Sequence, residues 1–276
     1  MSEASYSVFV ATGDSFTEGL EDETGPSGRH LGWADRVADA LAVKHPGLRY
    51  ANLAIRGRVL DQVVDEQLPV ALAAASADDV LLVSFHAGPN DALRPRADLP
   101  DLLRRYDAAV AGLGAEGANV LLFTVIPRAG GSGRTAARLA ARFETFNAAV
   151  RETASRHGCL LVDAGSVPAL QDRRLWHEDR LHLVREGHRR VAAAVLEALG
   201  EQDPALLGGP VGWWRVPLPS RTPHRRTAAL AADLRWAGVH LAPWVGRRLR
   251  GVSSGDGVPA KRPTADPVSR QDEGPG

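Results

Sequence analysis

Short apolar runs alternate with helical patterns over roughly the first 200 residues, and this alternation restricts the possible folds more than any other feature of the chain. Five runs predict strands, at residues 6–11, 49–53, 80–85, 119–126 and 159–163. Between them, apolar residues recur every three or four positions, as on the buried face of a helix. Strands that alternate with helices favour a parallel sheet covered on both faces.

The first predicted strand ends in "TGDSF", which places Ser15 in a turn at the end of that strand. In open parallel sheets the ligand crevice lies at the carboxyl ends of the strands, so Ser15 is predicted to face it. A nucleophilic serine needs a base, and the base needs an orienting acid. Asp179 and His182 lie three residues apart in "DRLH", after the fifth predicted strand, and are the candidates for that pair.

Two further turns that follow predicted strands could supply hydrogen-bond donors to an oxyanion. Gly57 follows the second strand, and a glycine lets a backbone N–H approach a ligand closely. Asn90, in "GPND", follows the third strand, and its amide is a donor without charge. Four strand ends therefore present a serine, a glycine, an asparagine and an Asp/His pair, in that order.

These four blocks, "GDSFTEG", "NLAIRG", "GPND" and "DRLH", resemble those of the SGNH (GDSL-type) hydrolases, a family of esterases and acylhydrolases. The resemblance covers roughly residues 5–200. It implies that Ser15 is the nucleophile, that His182 is the general base and that Asp179 orients His182.

The resemblance also implies an oxyanion hole with three donors, namely the backbone N–H groups of Ser15 and Gly57 and the side chain of Asn90. Two residues depart from the family pattern. Phe16 replaces the leucine of the motif, and Pro89 occupies the variable position before the asparagine. Neither change removes a donor, because the first side chain packs behind the nucleophile and the second only stiffens its loop.

Together, the alternation and the resemblance predict a three-layer α/β/α domain of flavodoxin-like type over residues 1–200, with a five-stranded parallel sheet. Residues 201–250 form a Trp/Arg-rich extension that is predicted to be partly helical, with its helix at 226–250. Residues 251–276 are rich in Gly, Pro and Ser and are predicted to be disordered.

A basic helix with tryptophans, such as the one predicted in this extension, is compatible with two placements. Docking on the hydrolase domain is favoured, because a helix needs tertiary packing to be stable. Weak contact with an anionic membrane surface is the alternative. A docked extension would form a lid or extend the acyl pocket.

The predicted activity is serine-dependent hydrolysis of a carboxylic ester or thioester through an acyl-enzyme, with a small-molecule ester as substrate and no metal or organic cofactor. An acyltransferase with the same site is an alternative, and a catalytically idle binding module is a less favoured one. His177, Asp179 and His182 could also be metal ligands. That interpretation is disfavoured because no fourth ligand accompanies them.

Composition excludes few partners and leaves the acyl group and the oligomeric state open. Lys+Arg and Asp+Glu are balanced at 33 each, so the net charge gives no reason to expect a nucleic acid partner. Cys159 is the single cysteine, which excludes an internal disulfide. The first residues lack the basic segment and the apolar length of a signal peptide, which predicts a cytoplasmic protein.

Overall fold

The computed structural model describes residues 5–25, 28–94, 96–127, 133–220 and 253–268, together with Val239. Within this part of the chain, six strands form one sheet in the order β5-β4-β3-β1-β2-β6. The strands are β1 (Val8–Gly13), β2 (Arg49–Asn52), β3 (Leu81–His86), β4 (Asn119–Phe123), β5 (Leu160–Val162) and β6 (Arg262–Pro267). Strands β1 to β5 are parallel to one another, and β6 is antiparallel to β2.

Helices cover both faces of this sheet. They are α1 (Ser15–Glu18), α2 (Trp33–Lys44), α3 (Leu60–Gln62), α4 (Leu68–Ala73), α5 (Pro89–Ala92), α6 (Leu99–Ala115), α7 (Arg134–His157), α8 (Arg185–Ala198) and α9 (Pro204–Leu207). A π-helical turn, Val63–Gln67, joins α3 to α4. Short 3₁₀ turns lie at Ala164–Ser166, Pro168–Gln171, Arg173–Leu175 and Trp213–Arg215. Among the described residues, no helix has both the length and the apolar composition that a membrane span requires.

The central strand β1 is buried on both faces, as the apolar run in the sequence predicts. Successive side chains of a strand point to opposite faces. Val8 and Val10 therefore join the core that contains α6 and α7, whereas Phe9 and Ala11 join the core that contains α2 and α8. This arrangement confirms the predicted three-layer fold.

The strand order determines where a ligand can bind. Strand β1 lies between β2 and β3. The chain therefore adds β2 on one side of β1 and then adds β3, β4 and β5 on the other side. In sheets of this type the crevice opens at the carboxyl end of the strands where the order reverses. Gly13, the last residue of β1, stands at this point, and the nucleophile candidate Ser15 follows it.

The fourth strand is shorter than the sequence predicts. The apolar run extends over 119–126, but β4 ends at Phe123. Beyond it, the side chain of Asn147 accepts from the N–H of Val125 at 2.7 Å and donates to its carbonyl at 2.8 Å. Because a side chain on α7 satisfies these backbone groups, the chain leaves the sheet and turns toward the crevice.

The predicted sheet has five strands, and the structure adds a sixth. Strand β6 lies inside residues 251–276, for which the sequence predicts disorder, and it pairs Tyr50 of β2 with Asp266. The physical reason is that the edge of β2 offers unpaired backbone groups, which an added strand satisfies. Pro263 and Pro267 are compatible with β6 because it is an edge strand. The division of the chain at residues 200 and 250 stays a prediction.

The first part of the Trp/Arg-rich extension packs on α8. Trp214 is buried, and its indole N–H donates to Glu197 at 3.0 Å. The Arg190 guanidinium lies 5.4 Å from the ring centre of Trp213 and donates to the carbonyl of Trp214 at 3.2 Å. Residues 201–220 are thus docked on the hydrolase domain. Apart from Val239, the helix predicted at 226–250 lies outside the described residues.

Candidate active site

Close packing and side-chain hydrogen bonds hold the turn that carries Ser15 in place. Gly13 has a φ of 137°, and a Cβ at this position would overlap the carbonyl oxygen of His86, so only glycine fits. The buried side chain of Gln67 accepts from the N–H of Gly13 at 2.7 Å and donates to its carbonyl at 3.0 Å. Asp14 caps α1 by accepting a backbone N–H of its first turn at 3.1 Å. Ser15 itself is partly exposed.

Ser15, Asn90 and His182 line one cavity of about 90 Å³. These residues follow β1, β3 and β5, whose carboxyl ends meet at this edge of the sheet. Much of the remaining lining is apolar and includes Leu20, Leu93, Ile126, Phe143, Trp176 and Leu183. The structure therefore brings together three of the five predicted site residues around one small, largely apolar space.

Asp179 and His182 form a hydrogen-bonded pair. His182 Nδ1 lies 2.6 Å from Asp179 Oδ2, and Asp179 Oδ1 accepts the backbone N–H groups of Leu181 at 2.8 Å and His182 at 3.1 Å. Burial alone would raise the pKa of Asp179. The hydrogen bond and charge of His182, with these two N–H groups, outweigh burial and hold that pKa well below its usual range.

A carboxylate that stays ionised determines which nitrogen of His182 carries the proton. Because Asp179 accepts, Nδ1 donates, and Nε2 is left as the acceptor in the neutral imidazole. Among the described residues, no hydrogen bond involves the hydroxyl of Ser15. Bonds between nucleophile and base are often long before a substrate is bound, so this geometry is compatible with a catalytic pair.

Asn90 connects the nucleophile turn to the loop that carries Gly57. Its Nδ2 donates to Asp14 Oδ2 at 3.0 Å and to the carbonyl of Arg58 at 2.9 Å. An amide nitrogen carries two hydrogens. Donation from Asn90 to an oxyanion therefore requires that one of these two bonds be shared or exchanged.

Gly57 is not part of the cavity lining, although the loop that carries it bonds to Asn90, which is. Its φ of 76° is in the left-handed region, which favours glycine. The next residue, Arg58, provides the carbonyl that accepts from Asn90. A Cβ at Gly57 would overlap the hydroxyl of Ser253, so the C-terminal segment packs directly against this loop.

Two buried histidines that the sequence motifs do not include also line the cavity. His86 Nδ1 lies 3.3 Å from Asp14 Oδ1, and its ring centre is 4.4 Å from that of Phe16. His188 Nε2 donates to the carbonyl of Leu20 at 3.3 Å, and burial lowers the pKa of His188 to about 4. The only sequence signal was position, since one follows the third strand and the other lies at the start of the last helix of the domain.

One group of side chains has the spacing of a metal site. Donor atoms of Glu21, His177 and Asp179 all lie within 4.8 Å of one another. Asp179 Oδ2 is 3.6 Å from His177 Nδ1 but only 2.6 Å from His182 Nδ1. A cation here would compete with His182 for the same oxygen, so we assign the carboxylate to His182.

Comparisons with known proteins agree with this fold. Residues 11–190 match the GDSL-like lipase/acylhydrolase family. Axe2, an acetylxylan esterase from Geobacillus stearothermophilus, is 21% identical, with 73% of this chain and 97% of that chain covered and a TM-score of 0.53. LAE5, an alpha/beta hydrolase enzyme from the metagenome of Lake Arreo, Spain, is 23% identical, with 70% and 95% covered and a TM-score of 0.54. No curated protein matches the sequence.

Some solved structures of Axe2 are of catalytic mutants. In three of them a serine, an aspartate or a histidine is replaced by alanine. At this level of identity, the likeness to the present chain concerns the fold.

Proposed function

Because the chain belongs to the GDSL-like lipase/acylhydrolase family and is therefore a carboxylic ester hydrolase, we propose that it acts through a Ser15–His182–Asp179 triad and an acyl-enzyme. One observation carries the proposal: the 2.6 Å hydrogen bond between Asp179 and His182, with His182 on the same cavity as Ser15. The residue types also agree with those replaced in the catalytic mutants of Axe2.

In the proposed first half-reaction, Ser15 Oγ attacks the ester carbonyl while His182 Nε2 takes the proton of its hydroxyl group. Asp179 remains an anion because its pKa is held low, and it stabilises the imidazolium that forms. His182 then gives the proton to the leaving alcohol, and the acyl group stays on Ser15. In the second half-reaction, His182 activates water, which releases the acid.

The negative charge that develops on the carbonyl oxygen needs donors that are already in place. We assign this role to the backbone N–H groups of Ser15 and Gly57 and to the side chain of Asn90. Asn90 keeps its bond to Asp14, which orients the amide, and exchanges its bond to the Arg58 carbonyl for the oxyanion. Loss of one such donor typically lowers kcat by about 10²–10³-fold.

The cavity also indicates what kind of ester fits. It is small, and apolar side chains such as Leu93, Ile126 and Phe143 form much of its lining. Such a space favours a short, uncharged acyl group, because an apolar wall gives no partner to a charge.

The experiment that tests this function is hydrolysis of p-nitrophenyl esters, from acetyl to long acyl chains, by the wild type and by Ser15→Ala. We expect the wild type to prefer short chains and Ser15→Ala to lose about 10³-fold or more in kcat/KM. Ser166→Ala is the matched control, because the Ser166 hydroxyl is bonded to the Asp163 carbonyl and lies outside the cavity. Equal activity of Ser15→Ala and the wild type would contradict the proposed nucleophile.

A fluorophosphonate label gives a second readout that needs no particular ester. We expect it to modify Ser15 in the wild type and to leave Ser15→Ala unmodified. A labelled wild type that hydrolyses no ester would indicate acyl transfer to another acceptor. In that case acceptor alcohols are to be added to the assay.

A further inference from the structure

Residues 253–268 pack against β2 and against the turns that follow β1 and β2, although they lie outside the part of the chain that matches the family. We call them the C-terminal brace. Strand β6 forms one half of the brace and extends the sheet beyond β2. The other half, residues 253–261, runs along the turns that follow β1 and β2.

The first anchor of the brace is Lys261, whose side chain is only 9% exposed. Its ammonium group donates to the carbonyls of Glu18 at 2.6 Å and His30 at 3.1 Å, and it forms an ion pair with Asp35. Glu18 is the last residue of α1, the helix that begins with Ser15. One buried charge therefore connects the brace to the nucleophile helix.

The second anchor is close packing of backbone against the loop of Gly57. A Cβ on Gly255 would overlap the carbonyl oxygen of Arg56, and a Cβ on Gly57 would overlap the hydroxyl of Ser253. No side chain fits between these two segments. A change in the position of the brace would therefore be transmitted directly to the loop.

Glu18 connects the two anchored elements to each other. Its carboxylate accepts the backbone N–H of Arg56 at 2.7 Å and forms an ion pair with the guanidinium of the same residue. The nucleophile helix, the loop of Gly57 and the brace thus form one hydrogen-bonded group. Two of the three proposed oxyanion donors, the N–H groups of Ser15 and Gly57, belong to it.

The brace does not act as a plug. The described side chains that line the Ser15 cavity all lie within residues 14–188. The described part of the C-terminal segment therefore contributes no side chain to the cavity. This placement fits a positioning role and disagrees with autoinhibition.

We propose that the C-terminal brace positions the oxyanion donors of Ser15 and Gly57 through its two anchors, Lys261 and the backbone at Gly255. The inference rests on the function proposed above. An oxyanion hole works when its donors lie about 2.7–3.1 Å from the developing charge. Small displacements of the donors weaken binding of the transition state more than binding of the ester, so loosening the brace lowers kcat and leaves KM nearly unchanged.

Two variants loosen the brace at its two anchors. Lys261→Met keeps the apolar stem and removes the ammonium group, and Gly255→Ala introduces a methyl group against Arg56. Thr264→Ala is the matched control, because Thr264 lies on an exposed part of β6 and its hydroxyl bonds to Asp266. All three are assayed in the full chain, well below the melting temperature of each, with active sites counted by fluorophosphonate labelling.

We expect kcat per labelled site to fall about tenfold in Lys261→Met and in Gly255→Ala, with KM within about twofold of wild type. The Ki of an alkyl boronic acid, whose adduct with serine resembles the tetrahedral intermediate, should rise by a similar factor. Thr264→Ala should match the wild type in both measurements. Lys261→Arg, which keeps the charge, should recover part of the lost kcat.

Three other outcomes decide against the proposal in different ways. If the variants melt earlier but keep wild-type kcat and Ki, the brace contributes to stability alone and the inference is overturned. If Thr264→Ala loses as much kcat as Lys261→Met, the effect is general to the strand and again overturns it. If the wild type neither hydrolyses an ester nor labels at Ser15, the proposed function itself fails, and the inference fails with it.

Discussion

The nucleophile turn (residues 13–19) and the C-terminal brace meet at the same edge of the sheet but are held there by different means. The turn depends on its own residue types, because Gly13 adopts a conformation that only glycine accepts and Asp14 caps the helix that follows. The brace depends on what it touches, namely the edge of β2 that faces away from β1 and the acceptors around Lys261. A short motif can therefore specify its own geometry, whereas a segment such as the brace is specified by the surface that receives it.

The same contrast predicts how each region responds to substitution. Gly13 and Asp14 of the turn and their partner Gln67 are buried, so a change there has no room to relax. Strand β6 is largely exposed, and the brace contacts the turn through Lys261, which donates to the carbonyl of Glu18. We expect single substitutions to cause large losses of stability or activity in the turn and smaller losses in the brace.

Asp179→Asn should produce a larger effect than any substitution in the brace. The asparagine places an amide where His182 needs an acceptor, so the imidazole loses the tautomer with a free Nε2. We expect kcat/KM to fall by about 10²–10⁴-fold. Asp172→Asn, which breaks an ion pair with Arg174 away from the cavity, is the control for loss of a carboxylate. A comparable loss in both variants would argue against an orienting role.

Gly13→Ala should distort the nucleophile turn and thereby destabilise the fold. The added methyl overlaps the His86 carbonyl, and the backbone at 137° is strained for alanine. Overlap and strain together should lower the free energy of unfolding by about 3–4 kcal/mol, measured by denaturant melts. Gly117→Ala separates the two causes, since Gly117 has a φ of 81° and open space at its Cβ. If both variants lose the same free energy of unfolding, overlap of the new methyl group with the His86 carbonyl does not contribute to the loss.

His188→Gln should have the smallest effect, and it should appear in acid. The pKa of His188 is about 4 in the folded state and about 6.5 in the unfolded chain. Between these values the unfolded state binds more protons, so stability is lost as pH falls from about 6.5 toward 4. Between pH 7 and pH 5, the free energy of unfolding of the wild type should fall by about 2 kcal/mol more than that of His188→Gln, as measured by urea melts. Parallel curves would contradict a buried, neutral His188.

Much of the fold could be predicted from the chain because its signals are local. The buried run that ends at Gly13 and the helical spacing of the segments between strands depend on neighbouring residues only. The predicted end of the fourth strand was wrong, because the backbone there bonds to Asn147, which lies some twenty residues away. A strand boundary of this kind depends on a partner that periodicity does not reveal.

The site shows the same division. The four sequence blocks named Ser15, Asn90 and His182, and these residues do share a cavity. No pattern in the sequence indicated that Asn90 uses both amide hydrogens on Asp14 and Arg58. Position was the only signal for His86 and His188, which line the same space. These are contacts between distant segments, and only packing reveals them.

The sequence by itself determined the strand–helix alternation, the strand ends that carry polar residues and the glycine that shapes the nucleophile turn. Each of these follows from local conformational preference or from apolar spacing. Only the tertiary structure decided that residues 262–267 join the sheet and that Lys261 reaches the helix of Ser15. The reason is that a Pro- and Gly-rich segment has little structural preference of its own and becomes ordered when its backbone and charge find partners on an edge that is already folded.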